Sequence, residues 1–241
     1  MAILRYTASA DNTITNAFQS DLSTRGTGSN MGYADSLEVF SVYGQTSGSI
    51  LGRSQELSRI LIQFPIDTIT ADRNAGTVPA SGSVSFYLRM FNAETPFTLP
   101  QDFTLTIAPI SQSWVEGTGL DMDEYKDLGV SNWISASTTT AWTSIGGDYL
   151  TASNYNVTFP QGFEDLEVDV TNTVENWIAD TWTGGNCGFG VHLTASQEAY
   201  HSSSTGADSG SLINNLSGST DSYYTKKFFS RSTQYFYSRP V

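Results

Sequence analysis

Ser58-Arg-Ile-Leu-Ile-Gln-Phe64, followed at once by Pro65, decides the fold. Four of the five residues from Ile60 to Phe64 are apolar, and proline, which cannot donate to a ladder, closes the run. A short continuous apolar segment with that ending reads as a strand deep in a β-sandwich.

The same pattern extends in both directions. Leu37-Glu-Val-Phe-Ser-Val-Tyr43 alternates apolar and polar residues for most of its length, so one face can pack while the other meets solvent. Ser83–Phe91 and Phe103–Pro109 alternate as well, separated by a connection that contains Pro96 and Pro100. Further strands are predicted at Leu166–Val170, Gly188–Leu193 and Phe228–Tyr237. A helix stands out near 172–180. Asn172 followed by Glu175 fits a capping box, and Val174, Trp177 and Ile178 fall at i, i+3 and i+4 on one apolar face. Gly184-Gly185 then lets the chain turn.

Long loops fill the rest. Residues 19–36 join the first strand to the second, 117–160 carry Trp and Tyr clusters with little sustained periodicity, and 200–222 are nearly all Ser, Gly, Asn and Asp. The last composition predicts a mobile surface loop, with Leu212-Ile213 as an anchor at its middle. With no internal repeat and no interdomain linker, residues 1–241 read as one β-sandwich domain.

Composition limits the function. The 241 residues are 39% hydrophobic and only 15% charged, a balance that favours short strands and polar turns. A net charge of -13 argues against nucleic acid as a partner, because that binding depends on clustered Lys and Arg releasing phosphate counterions. It argues equally against an anionic membrane. The single cysteine, Cys187, excludes an intrachain disulfide. Met1–Thr7 is too short an apolar stretch for a signal peptide, and no run approaches the ~18 apolar residues of a membrane span. Asn156-Val-Thr158 and Asn215-Leu-Ser217 match the glycosylation tripeptide by chance on this reading.

Groups able to catalyse are few. His192 sits in a strand and His201 opens a polar loop; neither accompanies a nucleophile elbow, and Cys187 beside Gly188 reads as a small strand-edge residue. The Gly-rich turns lack the Gly-Lys-Ser/Thr ending of a phosphate loop, and one Cys with two separated His cannot enclose zinc, so no cofactor is expected. Asp121-Met-Asp-Glu-Tyr-Lys-Asp127 begins with calcium-loop spacing, but Tyr125 stands at the third ligand position, Lys126 where glycine is required, and Asn132 at the twelfth. A solvated acidic loop is the simpler reading, with no metal. Glu116 and Asp121 form an imaginable glycosidase pair whose separation the sequence does not give. Trp114, Trp133, Trp142 and Tyr149 lie in or beside the long loop; Trp133 and Trp142 are candidates for stacking on glycans, against the stronger reading that such side chains staple a loop to the body.

Ser58–Phe64, Ser113-Trp-Val-Glu-Gly117 and Val168-Asp-Val-Thr-Asn-Thr-Val-Glu-Asn-Trp177, taken together, resemble the DNRLRE-type domains over about residues 10–195. That family is similar to carbohydrate-binding modules. The resemblance implies an all-β jelly-roll β-sandwich with an Arg-containing early strand, a Trp-x-Glu motif and an Asp-Val-Thr entry to one short helix. The chain departs from the family's Trp-Asn-x-x-Pro stretch, having Asn132-Trp133 and a longer insertion. The flanks, Ala10–Asn16, Thr27–Gly32 and Lys226–Pro240, resemble structural proteins of tailed bacteriophages, particularly marine ones. That resemblance implies a virion component without enzymatic activity.

The ending has a physical argument of its own. Four of the eleven basic residues fall in the last sixteen positions, among aromatics, on an otherwise acidic chain. Lys226, Lys227, Phe228, Phe229, Arg231, Tyr235, Phe236, Tyr237 and Arg239 are therefore candidates for docking onto an acidic neighbour, either another virion protein or a copy of the chain itself. A last strand completing its own sheet is compatible with that reading. Arg239-Pro-Val241 reads as a strand cut short, which suggests a natural chain continuing past Val241.

Overall fold

The structure is a computed structural model describing residues 3–45, 53–182, 184–202 and 210–241. Its elements run β1 (Ala10–Thr15), β2 (Ser36–Gln45), β3 (Arg53–Gln63), α1 (Ile66–Asn74), β4 (Tyr87–Met90), β5 (Phe103–Pro109), β6 (Tyr155–Phe159), β7 (Leu166–Asp169), α2 (Thr171–Ile178), β8 (Phe189–Leu193) and β9 (Tyr223–Phe229). Seven strands form one antiparallel sheet along the path β6-β5-β8-β3-β2-β9, with β1 also paired to β3. β4 and β7 make a separate antiparallel pair. The all-β class with a short helix near 172–180 is as the sequence predicts.

β3 explains why its apolar run is continuous. Side chains alternate along a strand. Ile60 and Ile62 enter one hydrophobic cluster while Leu57 and Leu61 enter another, and all four are fully buried. The first cluster lies between the large sheet and a cover made by β4, β7, α1 and α2, through Ile66, Ile69, Leu88, Met90, Leu166, Val174 and Trp177. The second is roofed by loop residues, chiefly Trp114, Trp133, Ala136 and Trp142. Burying each of the four β3 side chains contributes roughly 1.5–3 kcal/mol relative to leaving it in water.

Several boundaries differ from expectation. The helix near 172 begins at Thr171 without a side-chain cap on Val170. The capping box is absent because Asn172 falls inside the helix and not at its cap, and Glu175 instead grips the Arg73 guanidinium at the end of α1, with Nη2 to Oε1 at 2.8 Å. The Thr171 N–H donates instead to Asp169 Oδ1 at 2.9 Å. α1 is a helix that the sequence pattern does not predict. The predicted last strand at 228–237 is displaced to Tyr223–Phe229, and a 3-10 turn occupies Phe236–Ser238. Ser230 causes the break: its Oγ donates to Ala34 O at 2.6 Å and accepts from the Ser232 N–H at 3.1 Å, turning the chain off the sheet. β6 lies inside the stretch read as loop. In the third long loop, Ile213 does anchor, its N–H donating to Gln55 Oε1 at 2.9 Å and its ring-free side chain packing on the second cluster; 203–209 lie outside the described residues.

Candidate functional site

The basic aromatic ending divides into a buried part and a displayed part. Lys226 and Phe228 point inward from β9 and are fully buried, as alternation along the strand requires. The Lys226 ammonium donates to Asn92 Oδ1 (2.7 Å), Gly162 O (2.9 Å) and Glu164 O (2.7 Å), and lies about 5 Å from the rings of Phe159 and Phe228. Burial pulls its pKa down to about 8. These two candidates therefore serve the core and are not free to dock. Lys227 pairs with Glu38 across the β2–β9 ladder, and Phe229 packs edge-on against Tyr235 at 5.5 Å.

Arg231 anchors the turn beyond β9. Its Nε and Nη2 grip the Glu116 carboxylate, and its backbone N–H donates to Asp11 Oδ2 at 2.6 Å. Asp11 in turn donates its own backbone N–H to Glu116 Oε1 at 2.7 Å. Asp11 is only 1% exposed, and its Oδ1 has no hydrogen-bond partner. Burial raises its pKa to about 7; the Arg231 N–H acts against that rise and the Glu116 charge adds to it. β1, the Trp-x-Glu segment and the C-terminal turn are thus tied by one charged knot.

Past that knot the aromatics stand out. Tyr235, Phe236 and Tyr237 are 58%, 72% and 89% exposed. The turn carrying them is nevertheless held at several points. Arg239 Nε and Nη2 donate to Thr233 O at 3.1 and 2.9 Å while the guanidinium covers the Phe236 ring at 4.1 Å. Ala8 N–H donates to Pro240 O at 3.0 Å, and Val241 exchanges main-chain bonds with Arg89 at 2.8 and 3.1 Å.

The tryptophans proposed for glycan stacking are turned inward. Trp133 and Trp142 are buried, and their indole N–H groups donate to Ser211 O (2.9 Å) and Asn132 O (2.8 Å). Trp114 likewise donates to Cys187 O at 2.9 Å. All three staple the long loop, and none offers an open face to a sugar ring. Between Trp133 and Tyr149, each centred 5.5 Å away, lies the Arg59 guanidinium. It forks onto Glu198 at 3.0 and 2.9 Å and donates to Gly146 O at 3.2 Å. Sequence reasoning gave Arg59 no role beyond its strand, since its carboxylate lies 139 residues away.

The catalytic candidates are engaged structurally. His192 Nδ1 lies 2.7 Å from Leu193 O, and burial with the nearby Arg59 charge lowers its pKa to about 4, so it stays neutral. Cys187 is buried, which raises its thiol pKa. Glu116 is committed to Arg231. Asp121 Oδ1 accepts the N–H groups of Tyr125, Glu124 and Asp123, which hold its pKa low. Among the described residues, no three His, Cys, Asp or Glu side chains converge on a metal position. No described helix is long and apolar enough to cross a membrane. No family model matches this chain, and no curated protein matches it.

Proposed function

We propose that this chain is a non-enzymatic structural component of a tailed-bacteriophage virion, built on a DNRLRE-type sandwich and attached to capsid, neck or tail through protein–protein contacts. One observation carries the reading: Tyr235, Phe236 and Tyr237 are held in place yet remain largely exposed. Exposing three adjacent aromatics gives up burial energy. Rigid aromatic side chains are also what interface centres use, because they lose little conformational freedom on binding. The similarity of the flanking segments to phage structural proteins supports the same reading. A carbohydrate-binding role would have to use some surface other than Trp133 and Trp142.

The test is a density map of the intact particle that contains this chain, combined with cross-linking through a photoreactive residue at Tyr237. Cross-links to one defined virion protein, or to a second copy, are the expected result. A chain absent from purified particles would sink the proposal.

A further inference from the structure

β9 ends the path of the large sheet, so one of its edges has no strand of that path beside it. Which residues face that edge follows from the ladder. The N–H of Tyr43 donates to Ser222 O, and that of Ser230 donates to Asp35 O. In an antiparallel pair the bonded residues alternate, so Tyr224, Lys226 and Phe228 bond to β2 while Tyr223, Thr225, Lys227 and Phe229 turn their main-chain groups outward. The last two are occupied. Phe229 N–H donates to Phe91 O at 3.0 Å, and Lys227 O accepts from Ala93 N–H at 3.1 Å.

That short pairing then stops. Asn92 stands opposite Phe228, and the same register continued would set Thr95 opposite Thr225 and Phe97 opposite Tyr223. Pro96 falls between them, opposite Tyr224, at a position whose main-chain N–H would face away from β9 in this register. The chain leaves the edge, and Phe97 is 79% exposed. Among the described residues, the outward N–H and C=O groups of Tyr223 and Thr225 have no partner. Beside them is a cleft of about 110 Å³, lined in part by Ala93, Phe97, Leu99, Thr225 and Lys227.

We propose that the open edge of β9 at Tyr223 and Thr225 is a docking slot for an extended, uncharged segment of a partner polypeptide, which adds to the sheet as a further strand. The unpaired main-chain groups offer hydrogen bonds that only an extended backbone satisfies in series. The cleft is smaller than the ~150 Å³ cavity that takes benzene, so it accepts one aliphatic side chain of the incoming strand. Charge complementarity sets the rest. Lys227 is the one charged residue lining the cleft, and it is paired with Glu38, so the cleft itself favours neither an acidic nor a basic side chain. Folded proteins commonly blunt an edge with unpaired lysines, proline or a bulge. Here the open positions are held by Tyr and Thr, which favour pairing.

The slot would accept such a segment from any partner, so its test does not depend on a virus particle. A library of uncharged seven-residue peptides rich in Val, Thr and Ser is screened against the full chain, and binders are mapped by amide hydrogen exchange. Bound peptides should slow exchange at Tyr223 and Thr225. Thr225→Pro removes the outward donor without touching the β2 ladder, and Thr225→Trp fills the cleft while keeping the donor. Each should weaken binding at least tenfold with the melting temperature little changed. Binders indifferent to both substitutions, or no binders, would overturn the proposal. So would slow exchange at both amides in the isolated monomer, which would mean that residues 95–97 close the edge themselves. A concentration-dependent dimer lost in both variants would reassign the edge to a second copy and overturn the separate partner.

Discussion

Asp11 is the most informative single residue. A carboxyl with one oxygen bonded to the Arg231 N–H and the other buried without a partner is better accommodated neutral than charged. Its folded pKa of about 7 lies above the 3.8 of the free group, so between those values the folded chain holds a proton that the unfolded chain releases. Stability from this group is therefore fully present below about pH 4 and is lost as pH rises through 7. The charges facing it, Glu116 and Arg231, come from two other segments and are already paired with each other. Asp11→Asn keeps an acceptor for the Arg231 N–H and supplies no charge. Urea denaturation should find the variant close to the parent below about pH 4 and progressively more stable as pH rises, by roughly 2–4 kcal/mol at pH 8 on the scale of 1.36 kcal/mol per pKa unit. An identical pH dependence in the two proteins would show that Asp11 ionises at its free value in the folded chain. Nothing local in Ala10-Asp-Asn12 announces this role, because the partners lie 105 and 220 residues along the chain.

At the scale of elements, β3 and α2 are readable in the sequence while α1 and β6 are not. Ile60–Phe64 is legible because a two-sided environment writes a continuous apolar run. α2 is legible through Val174 and Trp177, which face the core. α1 is obscured by its composition. Ile66 and Ile69 give only one i, i+3 contact in a stretch rich in β-branched residues. β6 did carry a signal, since Tyr155, Val157 and Phe159 alternate with Asn156 and Thr158, but five residues between loops are easily passed over. The two helices hold each other through Arg73 and Glu175, whose side chains are mostly shielded from water. Glu175→Ala should cost about 1–3 kcal/mol, the range for a hydrogen bond to a charged group whose partner is left shielded. Replacing both residues by Met should recover part of that loss, because the bare guanidinium goes too. Thermal melts of the single and double variants measure both; additive losses would mean that the pair contributes nothing of its own.

For the molecule as a whole, β3 decides how the fold comes apart. Each cover of the sheet is anchored on alternate residues of that one strand: Ile60 and Ile62 under the helices and small sheet, Leu57 and Leu61 under the tryptophan loop. The loop is further tied down by Arg59, which reaches Glu198 and Gly146 from the same strand. A cover that loosens alone must expose fully buried β3 side chains and strand the Arg59 charge, so the two clusters should melt together. The five tryptophans divide between them, with Trp114, Trp133 and Trp142 in the loop cluster and Trp177, with the partly buried Trp182 beside it, in the helical one. Indole fluorescence and far-ultraviolet circular dichroism should therefore trace one coincident transition. Ile60→Ala and Leu61→Ala, neighbours in sequence but in different clusters, should each lower the stability behind that transition by about 2–5 kcal/mol. If Leu61→Ala shifts only the fluorescence transition and leaves the dichroism where it was, the tryptophan loop unfolds on its own. Under a single transition, by contrast, the aromatic turn and the open β9 edge are presented by one rigid body, and a partner that engages both meets them at a fixed spacing.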